Sequence, residues 1–274
     1  MDTPAPFDLA EFYDAYPRVE EEFQADLDES LDPSGPELLY DLVADLGLPA
    51  RADVLDVGCG EGGHSLRLAD RFGCTVRGFD PVARHVELAR AELAGARPEL
   101  RDQVSFAPGS AGSLPVPDAS ADLVWCRDVL VHVTDLDAAY AEFRRVLRDT
   151  GRVLVYQMFG TARLEPREAG WLFGTMGVVP SSADPGRTES AIASAGLRID
   201  TCRELGTEWG EFAEERTGNG GRQLLHAARL LREPGRYAGR YGQGAYDIML
   251  GDCLWHVYRM IGKLSPRVYV LSVA

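Results

Sequence analysis

The sequence predicts an α/β fold: a seven-stranded, mostly parallel sheet with helices on both faces and a helical cap inserted between the last two strands. Three observations carry this. Short apolar runs alternate with helical patterns from residue 36 to about residue 200, with short links, which places parallel strands under helices. The first apolar run opens directly into a glycine-rich turn, "VLDVGCGEGGHS". Beyond Glu204 the alternation stops, and a long helical stretch precedes a β-branched end, "RVYVLSVA".

The elements follow in order. The opening "MDTPAPFDLAEFYDAYPRVEEEF" is acidic and lacks the basic and apolar regions of a signal peptide. It carries Phe12, Tyr13 and Tyr16 on a short helical pattern, and residues 1–35 are assigned to an N-terminal lid. The core, 36–205, begins with a helix at Glu37–Leu46 and a strand at Asp53–Val57. A helix at His64–Arg71, a strand at Thr75–Phe79 and a helix at Ala83–Ala94 come next, then strands at Val104–Ala107 and Ala121–Cys126. Leu136–Arg148 shows a 3.6-residue period in Tyr140, Phe143, Val146 and Leu147, with Asp135 as its cap and Gly151 just past its end. A strand at Arg152–Phe159, the amphipathic "EPREAGWLFGTM", a helix at Thr188–Ala195 and a strand at Leu197–Glu204 complete it. Residues 206–265 form the cap, broken by glycines near Gly218–Gly221 and Gly235–Gly244, and 266–274 the final strand.

Composition narrows the function. The 274 residues are 45% hydrophobic, enough for a sizeable core, and no apolar run approaches the ~20 residues of a membrane span. A formal charge of −15 argues against nucleic acid and anionic membranes, although a local basic patch could hide in that average. A cytoplasmic location follows. The five cysteines form no C-x-x-C pair, and Cys74, Cys126 and Cys202 in strand-like segments are expected to be buried reduced thiols, with no metal site. Lys263 is the only lysine among 28 basic residues, which with the abundant Ala and Gly suggests a GC-rich bacterial genome.

A strand, a glycine turn and a helix let backbone amides approach a ligand closely. Gly58, Gly60 and Gly63 fit the dinucleotide spacing G-x-G-x-x-G. Asp56 tells against a pyrophosphate, because its charge at the strand end would repel one; it suits a ligand with a cationic group. Asp80 ends the second strand in "VRGFDP", about two dozen residues on, where a carboxylate accepts ribose hydroxyls. The pair describes a nucleoside with a positively charged tail and no phosphates, and disfavours a nicotinamide-dependent oxidoreductase.

"VLDVGCGEGG" resembles the first motif of class I S-adenosylmethionine-dependent methyltransferases, a Rossmann-like family, and "GFDP" their second-strand acidic motif. "GSAGSLPVPDASADLVWCRDVLVHV" resembles their adenine loop and fourth strand, and "AEFRRVLRDTGRVLVY" the following helix and fifth strand. The resemblance implies S-adenosylmethionine as cofactor and S-adenosylhomocysteine as product. It implies that Asp56, Gly58, Cys59 and Gly60 line the methionine part and that Asp80 and Pro81 meet the ribose. Ser110 and Ala111 then flank the adenine, with a hydroxyl where many relatives have an acid, and Arg127 lies beside the tail carboxylate. Tyr16 of the opening segment would cover the cofactor.

A sulfonium is an activated methyl donor, so the protein's work is alignment, exclusion of water and, for some acceptors, proton removal. His132 in "VLVHV" is the candidate base, and Glu168 the candidate carboxylate acting on the acceptor. Tyr13, Tyr156, Glu165, Trp171, Trp209 and Tyr246 are candidate acceptor contacts, several of them in the aromatic cap. The expected function is methyl transfer to a small organic acceptor in specialised, natural-product biosynthesis. The alternative is a protein of this fold that binds the cofactor without transferring methyl, as an assisted cyclase or a non-catalytic partner. The cap aromatics could equally form a homodimer interface.

Overall fold

The computed structural model describes residues 8–274, in two units that divide after Pro33. The first contains helix α1, Leu9–Leu27, started by the Asp8 carboxylate, which accepts from the Ala10 and Glu11 N–H groups. Within it Phe12 packs edge-on against Tyr13 and tilted against Tyr16.

The second unit begins with α2 (Glu37–Asp45) and alternates β1 (Asp53–Val57), α3 (Gly63–Phe72), β2 (Thr75–Asp80), α4 (Ala83–Gly95), α5 (Pro98–Gln103), β3 (Val104–Pro108) and β4 (Ala121–Arg127). It continues through α6 (Leu136–Val146), β5 (Leu147–Gly160), α7 (Pro166–Met176), α8 (Pro185–Ser194) and β6 (Leu197–Glu204). Four helices, α9 (Glu208–Thr217), α10 (Asn219–Arg232), α11 (Pro234–Tyr241) and α12 (Gln243–Met260), then lead into β7 (Leu264–Val273). The strands form one sheet in the order β3-β2-β1-β4-β5-β7-β6, parallel except for β7, which is antiparallel to both its neighbours.

Period-2 alternation sorts the core into two faces. Leu55, Val57, Val124, Cys126, Val153 and Val155 pack against Tyr140 and Phe143 of α6 and Ile192 of α8. Val54, Leu123, Trp125, Leu154 and Tyr156 face Leu39 and Tyr40 of α2, Leu68 of α3 and Val86 of α4.

Several boundaries correct the expectation. α6 ends at Val146, two residues early, because Leu147 is already paired with Ala121. A single helical turn and a half, α5, precedes β3; with Pro98 at its start and six residues, it is too short to show a period. β7 begins at Leu264, where that residue pairs with Gly160. Cys74 and Cys126 are buried, but Cys202 is exposed, since β6 is an edge strand with only β7 beside it.

Candidate functional site

β1 lies between β2 and β4, and the chain leaves these strands toward opposite edges of the sheet. Their carboxyl ends therefore part, which is where open α/β sheets hold ligands. A cleft of about 660 Å³ opens there, walled by Gly58, Gly60, Asp80 and Pro81 on one side and Arg127, Asp128 and Val129 on the other. Ser110, Ala111 and His132 complete the wall.

The glycine loop is held close to its neighbours. The Gly58 and Cys59 N–H groups both donate to the Phe79 carbonyl, at 2.7 and 3.0 Å. Gly58 has φ +77°, and a Cβ there would lie 2.0 Å from Val129 Cγ2, so no other residue fits. The Gly60 N–H donates to Asp80 Oδ2 at 3.0 Å, and Asp80 Oδ1 accepts from the Val82 N–H at 2.9 Å with His85 Nδ1 at 3.2 Å. Asp80 thus ties the loop to the end of β2 and leaves its edge to the cleft.

Asp56 lies beneath the loop rather than in the wall. The Ser65 hydroxyl donates to its carboxylate at 2.5 Å. Burial pushes its pKa up to about 7, against the Ser65 bond and the Arg127 charge, with the Asp80 charge adding to the rise. Cys59, also buried, has its thiol pushed up by burial and the same two carboxylates.

Arg127 ends β4 and points into a relay. Its Nη1 donates to His64 Nε2, and since a guanidinium only donates, His64 must carry its proton on Nδ1, 2.5 Å from the Tyr40 hydroxyl. Burial first, then the Arg127 and Arg67 charges, lower the His64 pKa to about 4, so the ring is neutral near pH 7. The guanidinium carbon also lies 5.6 and 5.7 Å from the Tyr156 and Trp209 ring centroids. Its Nε is buried without a partner. A buried donor of this kind carries an unmet cost that an anionic ligand can relieve.

Across the cleft, His132 closes a 3-10 turn, and its Nδ1 meets the Gly177 carbonyl at 2.8 Å. The carbonyl only accepts, so the Nδ1–H donates there, and in the neutral ring the lone pair lies on Nε2. Asp128 is not among the candidates drawn from the sequence, yet it lines the cleft. It is held at φ +58° with its N–H donating to the Tyr156 carbonyl at 3.0 Å. The carboxyl is packed round by protein yet 46% accessible through the cleft. Its enclosure raises its pKa, and the Arg127, Arg259 and His132 charges partly offset the rise. A non-glycine residue in the left-handed region at a strand end is a strained position of the kind found at functional sites. The sequence signal for Asp128 was its place just past β4; its backbone angle leaves none.

The structure thus brings Gly58, Gly60, Asp80, Pro81, Ser110, Ala111 and Arg127 to one cleft with His132. Other expected residues sit elsewhere. Tyr156 and Trp209 stack on each other at 4.3 Å, buried behind Arg127. Glu165 and Glu168 form a reciprocal capping box on α7. Glu168, expected to act on the acceptor, is instead a fixed ion-pair partner: Lys263 donates to both its oxygens at 2.5 and 2.6 Å and the Tyr258 hydroxyl at 3.1 Å. Lys263 holds that carboxyl below its ordinary range, which weakens it as a proton acceptor. Trp171 is half-exposed on the same helix. The Tyr246 hydroxyl donates to the Leu230 carbonyl at 3.4 Å inside the cap, in a separate cavity. Tyr13 and Tyr16 lie on α1, in the first unit.

Sheet order, antiparallel β7 and a glycine loop at the switch point define a Rossmann-like nucleoside-cofactor fold. Residues 55–155 match the family model described as a methyltransferase domain. Methyltransferase GfsG of Streptomyces halstedii is 37% identical over 130 residues, 46% of this chain and 46% of GfsG. The 27-O-demethylrifamycin SV methyltransferase of Amycolatopsis mediterranei is 30% identical over 179 residues, 62% of this chain and 64% of that one. The match therefore spans less than two thirds of either relative. The crystal structure of the cyclase SpnF superposes with a TM-score of 0.66 at 23% identity, covering 87% of this chain and 81% of that one, a likeness of fold. Among the described residues no helix is long and apolar enough to cross a membrane.

Proposed function

We propose that this chain binds S-adenosylmethionine in the cleft and transfers its methyl group to a small organic acceptor lodged beside Asp128 and His132. The observation that carries this is the division of one cleft into two chemically distinct ends. Gly58, Gly60 and Asp80 stand at one, and a lone-pair nitrogen and a raised carboxyl at the other.

The residues fit the cofactor. Gly58 and Gly60 leave room for a close backbone approach, and Asp80 offers its edge to ribose hydroxyls. Arg127, with its unpartnered Nε, would meet the tail carboxylate, and Asp56 beneath the loop would favour the cationic groups through its field. Ser110 and Ala111 would border the adenine. When bound, the cofactor supplies an electrophilic methyl on a sulfonium. The chain's own residues do the rest. His132 Nε2 accepts the acceptor's proton, its ring held by the Gly177 carbonyl. Asp128 orients the acceptor's donor group and stabilises the charge that builds on His132. The tyrosine–histidine pair behind Arg127 keeps the guanidinium aimed. The rifamycin relative supports an acceptor from specialised biosynthesis, and a cytoplasmic bacterial enzyme fits that reading.

The test is methyl-labelled S-adenosylmethionine with fractionated small-molecule extracts, read beside titration of the cofactor. Label entering the small-molecule fraction, and lost in Gly58→Arg, supports the proposal. Cofactor binding with no transfer to any candidate acceptor returns the non-transferring alternative. Label in protein or RNA overturns the acceptor class.

A further inference from the structure

A second cavity, of about 530 Å³, lies inside the cap between α10, α11 and α12, bounded by Leu230, Tyr237, Tyr241, Tyr246 and Met249. Its volume is within the range of about 300–1,000 Å³ of ordinary small-ligand sites. His226 and Arg229 share one face of α10 at its wall. Neither side chain has a hydrogen-bond or ion-pair partner among the described residues. The setting is electrically unlike the rest of the molecule. In a chain of net charge −15, residues 218–246 hold five arginines (Arg222, Arg229, Arg232, Arg236 and Arg240) against a single acid, Glu233. Glu233 is taken by Arg232 and Arg236, at 3.7 and 3.1 Å.

We infer that this cap cavity is a second, non-catalytic ligand site, and that it takes a small aromatic anion. The tyrosine rings and Met249 receive the apolar body, and Arg229 and His226 donate to the anionic group. It is distinct from the methyl-transfer cleft. Met249 and Arg259, which faces Asp128, are ten residues apart on α12, so the helix separates the two by about 15 Å. The inference stands independently of methyl transfer.

The probe is 8-anilinonaphthalene-1-sulfonate, titrated by fluorescence into the full chain with saturating S-adenosylhomocysteine in the cleft. The uncharged N-phenyl-1-naphthylamine serves as comparison. Saturable binding of the sulfonate at one site per chain is expected. Arg229→Gln should weaken it about tenfold, the size of one charge-assisted hydrogen bond, while leaving the uncharged probe unchanged. Ala245→Trp, which fills the cavity from α12, should abolish binding of both probes, with S-adenosylhomocysteine affinity within about twofold of wild type as the check on folding. Sulfonate binding that is unsaturable, indifferent to both substitutions, or displaced by S-adenosylhomocysteine overturns the inference. Equal loss of both probes in Arg229→Gln overturns the anion assignment.

Discussion

The carboxyl end of the sheet and the helical cap hold their side chains in different ways. Around the cleft, each group is fixed by backbone at a strand end: Asp80 by two amides, Asp128 by the Tyr156 carbonyl, His132 by Gly177. In the cap, α10 and α11 pack on α12 through a small cluster of Ala227, Leu230, Tyr246, Leu250 and Cys253, while Leu224, Leu231 and Ile248 remain exposed. The cap's first helix belongs with the core instead, since Trp209 is buried with Tyr156 and Trp125. Positions around the cleft are over-determined, whereas the outer cap is free to vary its surface.

Substitutions sharpen this contrast, beginning with the largest effect. Gly58→Ala places a methyl in Val129 and strains a positive φ, and should cost about 2–4 kcal/mol of stability. In calorimetric titration it should weaken cofactor binding by more than about a hundredfold; Gly58→Ala/Val129→Ala should recover part of this, because the clash but not the strain is relieved. His132→Gln should lower kcat by about a hundredfold with cofactor affinity unchanged. A parallel fall in cofactor affinity would make His132 a structural residue.

Asp56→Asn should act in two directions. The native carboxyl has a pKa raised to about 7, so ionising it in the fold costs stability that falls away as pH rises from its ordinary range through 7. The amide should therefore raise stability at pH 8 by about 1–3 kcal/mol in denaturant unfolding, yet weaken the cofactor about tenfold. Cofactor binding to wild type should release protons near pH 7, seen as a buffer-dependent binding enthalpy. No proton release would mean that Asp56 does not feel the ligand.

His64 has the opposite sign. Its pKa is lowered to about 4, so its contribution is present above its ordinary value and lost as pH falls from about 6.5 toward 4. His64→Gln should flatten that acid loss by about 1–2 kcal/mol in melting curves at stepped pH and weaken the cofactor a few-fold through Arg127. Smallest of all, Leu224→Gln on the exposed face of α10 should move stability by no more than about 0.5 kcal/mol. A loss of cofactor affinity there would break the contrast between sheet and cap.

Much of the sheet was legible because its signals are local. The bounds of β1 and β6 follow from apolar alternation and flanking turns, and the glycine loop announces its own backbone. What was illegible depends on distant partners. Glu168 reads as a free carboxylate until Lys263, 95 residues on, comes beside it. Cys202 reads as buried until its strand is found at the edge of the sheet. Asp128 leaves no signal beyond its place just past β4; its positive φ and its position in the cleft wall emerge only in the fold. The arginines of the cap vanish into the total charge, and only the fold brings one of them, Arg229, to the wall of a cavity.

Lys263 has a consequence for handling the protein. The chain has only one lysine, and that amine is engaged by Glu168 and lies over the Tyr258 ring at 5.0 Å. Acylating it would remove the charge that holds α7 to the turn before β7. Amine-directed dyes, crosslinkers and lysine modifications therefore find no innocuous side chain to react with, and immobilisation or labelling is better directed at the exposed thiol of Cys202.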